Sequence, residues 1–293
     1  MENNYKKTYS LYLDKFNAYL QEVFLSLDKS APKNLIDCMQ YSVLDGGKRV
    51  RPVLCLATAS MLGVDFDKVK KFALSLECIH SYSLVHDDLP EMDNDDYRRG
   101  KLSTHKKFGQ ANGVLAGDAL LNFAFEHCLL SDDFDKVDAK ALAFLAECAG
   151  YRGMIAGQVK DLQMEKCKTF SKDDLYEIYK NKTAKLIIAP LVIPSILANN
   201  KFFDNLYEFG YNLGIMFQIV DDIMDVEGTF DSIGKTPHKD ESVDKLTAIK
   251  IFGVEGAKNQ AKLHYDLCLQ ALKDIPNNDF LLELTNAMFN RRS

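Results

Sequence analysis

The stretch Lys68-VKKFALSLECIHSYSLVHDDLPEMDNDDYRR-Gly100 decides how the rest of the chain is read. Its apolar residues recur at helical rather than strand spacing, which predicts a helix over about residues 68–89. Pro90, which has no amide proton to offer, ends it. Asp87, Asp88, Glu91, Asp93, Asp95 and Asp96 then crowd into ten positions. A charge run is ordinarily a solvated face. Here, however, Asp87 and Asp88 follow the apolar Leu84-Val85 within a helix, where unpaired carboxylates repel each other and are costly to desolvate. The break at Pro90 also allows the chain to curl, which would bring Asp93 back beside Asp87.

Outward from this stretch, nearly every segment carries the same periodicity. Tyr9, Leu13, Phe16, Leu20, Val23, Phe24 and Leu27 form one apolar stripe on an N-terminal helix. A helix around residues 35–44 runs into Gly46-Gly47, a favourable stop, and Pro52 suits the first turn of the next. Further helical stretches are expected over residues 111–130 and 138–163. Ser171 to Asp174 resembles a capping box that opens a helix at Lys172. Residues 185–198 and 205–226 are strongly apolar, and Pro190 and Pro194 are expected to kink the first of these rather than end it. A polar loop over residues 227–244 leads to shorter helices at the C-terminus. Sustained apolar/polar alternation is lacking. Asp45-Gly46 and Asn112-Gly113, both hairpin-type dipeptides, lie beside helical periodicity instead of between alternating runs. The expected architecture is all-α. No linker, repeat or low-complexity tract marks a boundary, so one domain over residues 1–293 is expected.

A second acidic cluster, Asp221-Asp222-Ile223-Met224-Asp225, lies in another apolar helical stretch. Asp221 and Asp225 are four apart and share a helix face. Like charges at that spacing destabilise a helix unless a cation offsets them. Two such clusters point to hard divalent cations with oxygen ligands. Mg²⁺ takes only one or two carboxylates per ion and shares substrate phosphates, so the pattern suits a diphosphate held by bridging magnesium. EF-hand spacing is absent, which argues against a calcium cage.

A diphosphate also needs cationic donors. Lys48, Arg49 and Arg51 stand beside Gly46-Gly47, which permits close backbone approach, and Arg98-Arg99 directly follows the first acidic cluster. Arginine forks match phosphate oxygens bidentately. A helical histidine is more often structural, but His80 precedes Asp87 by seven residues, two turns along nearly the same face. Lys182-Thr183, Lys235, Lys239 and Lys245 form a later basic set.

Composition bounds the rest. With 47% hydrophobic and 27% charged residues the chain reads as a globular protein. A net charge of −6 argues against nucleic acid as a general partner. Nowhere do eighteen apolar residues run together, so no membrane span is expected, and the N-terminus does not resemble a secretory signal. Seven scattered cysteines without a CxxC make disulfides and structural zinc improbable and point to a reducing cytoplasm.

Taken with their order, these segments resemble the trans-prenyl diphosphate synthases, specifically the bacterial farnesyl diphosphate synthase type. The resemblance rests on GGKRVRP, ECIHSYSLVHDD, DDLPEMD followed by Arg98-Arg99-Gly100, LAGDALL, AGQVKDL, Lys182-Thr183, and DDIMD preceded by Gly214 and Phe217-Gln218. It implies helices around a deep central cavity, usually in a homodimer. It implies that Asp87, Asp88 and Asp93 bind magnesium from one wall and Asp221, Asp222 and Asp225 from the other, three ions in all with substrate bound. The allylic diphosphate would be held with help from Arg98, Lys182, Lys235 and Lys245. Lys48, Arg51, His80 and Arg99 would hold isopentenyl diphosphate, and Thr183 and Gln218 would lie near the reacting carbons. Tyr82, five positions before Asp87, resembles the bulky residue that stops growth at fifteen carbons, with a twenty-carbon product as the alternative. The C-terminal Arg291-Arg292 would fold over the isopentenyl site.

Three positions depart from the family pattern. Ala184 follows Lys-Thr where glycine is frequent, His238 replaces a glycine, and Ala248-Ile249 occupies a stretch that usually contains proline. They bear on the later basic loop and leave the carboxylates untouched. A terpene cyclase would carry an Asn/Ser/Glu motif in place of DDIMD. A silent regulatory subunit, the reading from a different class, would have lost one aspartate motif.

Overall fold

The computed structural model describes residues 2–44, 46–165, 167, 169–227 and 246–291. The expected loop over residues 227–244, with Lys235 and Lys239, lies almost wholly outside them, as does Lys245. The described chain is helical apart from one two-residue ladder. Helices α1 (Glu2–Leu25), α2 (Lys33–Leu44), α3 (Val50–Leu62) and α4 (Phe66–Asp87) come first. Strands β1 (Tyr97–Arg98) and β2 (Lys101–Leu102) form an antiparallel hairpin, with Tyr97 opposite Leu102. Helices α5 (Thr104–Phe108), α6 (Gln110–Leu129), α7 (Lys136–Ala149), α8 (Met154–Met164) and α9 (Lys172–Ile178) follow. A π-helical turn (Tyr179–Ala184) joins α9 to α10 (Lys185–Leu197), and α11 (Phe203–Glu227), α12 (Ala248–Leu272) and α13 (Asp279–Phe289) complete the chain.

The chain divides into two compact units, Lys6–Leu142 and Met1–Tyr5 with Ala143–Ser293. In the first, α4 is the central helix and packs on α3 and α6. Its Val69, Phe72, Leu74, Leu76 and Ile79 are fully enclosed. Phe16, Leu20 and Phe24, the centre of the N-terminal stripe, are buried as expected. The LAGDALL glycine has a packing reason: a Cβ at Gly117 would stand 2.0 Å from the His86 ring. His86 Nε2 lies 2.9 Å from the Val114 carbonyl oxygen.

In the second unit, α10 is apolar all round and almost wholly buried, and α11 packs against it and against α12. Pro190 and Pro194 lie inside α10, which continues past both. Ser171 caps α9 in a reciprocal capping box with Asp174, as its sequence predicts. The stretch expected over residues 138–163 is instead two helices. Gly153 takes a non-helical conformation in which a Cβ would meet the Cys148 carbonyl oxygen at 2.0 Å, so the chain breaks between α7 and α8. Gly253 (φ 68°, ψ 170°) likewise interrupts α12 after its first turn.

Candidate active site

At the end of α4 the chain curls as the sequence predicts. The Asp93 amide donates to the Asp87 carbonyl at 2.8 Å, and the Asp95 amide to the Asp88 carbonyl at 3.2 Å. Asp87 and Asp93 are half-buried at this turn. Asp88 is buried and accepts from Arg98 Nε at 2.9 Å and from Arg98 Nη2. Burial pushes the Asp88 carboxyl upward, with the Arg98 guanidinium opposing it. The hairpin positions the clamp: Arg99 (φ 53°) and Gly100 (φ 77°) form its tight turn and leave Arg98 facing back to Asp88. A cleft lined by Tyr41, Ser81, Leu84, Asp88, Arg98 and Arg99 opens beside it.

The basic residues of the same unit gather around His80. Its imidazole is held well below the usual histidine range by burial and by the guanidiniums of Arg51, Arg99, Arg49 and Arg98. Burial brings Arg51 down to about 10 as well, and its Nε has no hydrogen-bond partner among the described residues. The Arg99 Nη1 donates to the Gly46 carbonyl at 2.7 Å, and a Cβ at Gly47 would stand 2.8 Å from the Arg99 guanidinium carbon. Glycine at 47 therefore lets Arg99 lie across the loop. Lys48 is exposed, while Arg49 turns inward and donates to Glu77 at 2.5 Å and to the Val43 carbonyl at 2.5 Å. Arg49 is thus part of the core, while Lys48 is an outward cation of the loop.

In the other unit, Asp221 and Asp225 stand half-buried one turn apart on α11. Asp222, on a different face, is buried. Its Oδ2 accepts from the Tyr179 hydroxyl and from the Ala248 amide at 2.6 Å, and its Oδ1 from Gln218 Nε2 at 3.3 Å. The Thr183 hydroxyl donates to Gln218 Oε1 at 2.9 Å. Lys182 is bonded to Asp161 of AGQVKDL at 2.5 Å. A Cβ at Gly157 would lie 2.1 Å from the Lys182 amide nitrogen, and one at Gly214 would lie 2.5 Å from Ala184 Cα. Both glycines let the π-helical turn approach its neighbours. Arg291 pairs with Asp221, its guanidinium carbon 4.1 Å from the centre of the Phe217 ring. Among the described residues its partners are on α11.

The polyprenyl synthetase family pattern matches residues 32–283. The chain belongs to the polyprenyl synthetase family. A farnesyl diphosphate synthase of Micrococcus luteus is 41% identical over 276 residues, 93% of this chain and 94% of that protein. A chloroplastic geranylgeranyl pyrophosphate synthase of Capsicum annuum is 40% identical over 259 residues, 84% and 70% of the two chains. The crystal structure of a geranyltransferase from Helicobacter pylori, complexed with magnesium and isoprenyl diphosphate, superposes with a TM-score of 0.83 at 34% identity. That match covers 96% of this chain and 95% of the other.

In this polyprenyl synthetase, the candidate cation donors are carboxylates at both motifs, a hard-oxygen set that suits magnesium. Among the described residues no three His, Cys, Asp or Glu side chains form a ready-made cage. One or two carboxylates with substrate phosphates is the usual magnesium arrangement. Sequence reasoning missed Tyr179, Asp161 and Glu77. Tyr179 precedes Thr183 by four residues and Asp161 follows Gly157 by four, so spacing around the quoted motifs was the available signal. Among the described residues no helix is long and apolar enough to cross a membrane.

Proposed function

We propose that this chain is a magnesium-dependent prenyltransferase that condenses isopentenyl diphosphate head-to-tail with dimethylallyl or geranyl diphosphate. Ionisation, condensation and proton elimination, once from geranyl diphosphate or twice in succession from dimethylallyl diphosphate, yield farnesyl diphosphate and release one diphosphate per cycle. The observation that carries the reading is an intact carboxylate turn at Asp87 and Asp93 beside a guanidinium cluster around His80, within a chain matched over most of its length to farnesyl diphosphate synthases. Asp87, Asp93, Asp221 and Asp225 are the half-buried carboxylates that would hold magnesium on the allylic diphosphate. Asp88 and Asp222 would steady those sets. When bound, the metal offsets charge on the departing diphosphate.

The chain's own groups do the rest. Lys48, Arg51, His80 and Arg99 hold the isopentenyl diphosphate. Burial and the four arginines press the His80 imidazole toward its neutral form, in which it offers the diphosphate a hydrogen bond. Lys182 and Arg98, with Lys235 and Lys245, add positive charge where the leaving group develops its own. Thr183 and Gln218 face the reacting carbons. Buried Tyr82 and Val85, just before the first motif, keep water from the allylic end, and Tyr82 limits the product to fifteen carbons. One catalytic domain over residues 1–293, three magnesium ions, a homodimer and a reducing cytoplasm belong to the same proposal.

The test gives purified protein Mg²⁺, labelled isopentenyl diphosphate and either starter, with Asp221→Ala alongside. A fifteen-carbon product that disappears in the variant is the expected result. A twenty-carbon product would overturn the role of Tyr82, and folded wild-type protein that makes no product would favour a silent subunit.

A further inference from the structure

Four residues spaced by four along α11, Gly210, Gly214, Gln218 and Asp222, form one stripe. Each meets a residue from Tyr179 to Ile188. A Cβ at Gly210 would stand 2.9 Å from Ile188 Cα, and one at Gly214 2.5 Å from Ala184 Cα. Gln218 then receives Thr183, and Asp222 receives Tyr179. Tyr179 and Thr183 are themselves four apart on the π-helical turn, so two polar pairs lie side by side at the end of a close-packed seam. π-Helical turns recur at functional sites, where they re-aim side chains.

The donors on this network fix its orientation. Asp222 Oδ2 takes the Tyr179 hydroxyl and the Ala248 amide, which turns Oδ1 toward Gln218 Nε2. That contact sets which end of the Gln218 amide is oxygen, and Thr183 donates to it. Without the Tyr179 hydroxyl, Oδ2 keeps the Ala248 amide but loses a second donor, and the 3.3 Å contact to Gln218 is the first the carboxylate would lose.

We propose that Tyr179 is a positioning residue of the condensation site, acting through Asp222 to orient Gln218 and Thr183. The proposal rests on the prenyltransferase reading given above. Tyr179→Phe removes one hydroxyl and leaves the Ala248 amide, which donates to both, bonded to Asp222.

The experiment compares wild type, Tyr179→Phe, Gln218→Ala and the double variant in steady-state condensation. Mn²⁺ binding with inorganic pyrophosphate is followed by electron paramagnetic resonance. Tyr179→Phe is expected to lower kcat on the order of tenfold, leaving KM for isopentenyl diphosphate and Mn²⁺ occupancy within about twofold. In the Gln218→Ala background it adds little, because the group it acts through is gone. Unchanged kcat, losses that multiply in the double variant, or a fall in Mn²⁺ occupancy would each overturn the proposal. Wild-type protein that makes no product would instead overturn the underlying reading, and this proposal with it. If Tyr179→Phe does not fold, Asp222→Asn, which weakens the acceptor Tyr179 uses, carries the same kcat cycle with Gln218→Ala, and losses that multiply there would overturn the proposal.

Discussion

Adjacent aspartates in this chain do different work, because one residue along a helix is a rotation of about 100°. Asp221 and Asp225 share one face of α11, while Asp222 turns to Tyr179 and Ala248. At the end of α4 the buried member is Asp88, bound to Arg98. The shared face of Asp221 and Asp225 was legible from spacing alone. The division within each pair was not, since it depends on Arg98 ten residues on and Ala248 twenty-six residues on. Glu77 shows the same dependence on distant partners. It is 1% exposed, bonded to Arg49, and attracts Arg51 and Arg99 as well. Glu77→Ala leaves buried guanidinium charge uncompensated and is expected to cost about 3–5 kcal/mol in urea unfolding. Adding Arg49→Met should recover a large part of that loss; additive losses in the double variant would show that the pair is not coupled.

Between elements, polar bonds inside the helical packing give the fold a pH dependence. His264 of α12 lies 2.8 Å from Asn212 Oδ1 of α11 and 3.2 Å from the Tyr176 hydroxyl of α9. Burial, aided by Lys172, lowers its imidazole to about 4. An unfolded histidine titrates near 6.5, so between those values the unfolded chain binds the extra proton, and stability falls as pH falls. Wild type is expected to lose roughly 2 kcal/mol more than His264→Gln between pH 7 and pH 4.5. Equal losses, measured by urea titration at the two pH values, would remove His264 from the account. The helices themselves were readable because burial imposes a 3.6-residue period on the sequence. The exceptions have local causes: Gly153 breaks the stretch expected over residues 138–163, and the hairpin turns at Arg99-Gly100 with only two residues per strand to alternate. The π-helical turn left no periodic signal, since its fit depends on Gly157 and Gly214 from two other helices.

At the scale of the whole chain, the last described residue reaches the second aspartate motif. Arg291 stacks on Phe217, donates to the Phe217 carbonyl at 3.2 Å and pairs with Asp221. A cation and Arg291 draw on the same carboxylate, so binding one works against the other. The pair is partly open to solvent, with the side chains 17% and 40% exposed, which places its worth at about 0.5–1 kcal/mol. A competitor of that strength raises the apparent dissociation constant of a metal about two- to fivefold. Arg291→Gln is therefore expected to bind Mn²⁺ that much more tightly than wild type in a titration without substrate. Because both charges meet solvent, the difference should narrow as salt is raised. A charge-independent packing role for the terminus predicts otherwise: Arg291→Gln and Arg291→Lys would shift Mn²⁺ binding alike, at low salt and at high. Under competition, Arg291→Lys stays near wild type while Arg291→Gln departs from it, and that contrast decides between the two.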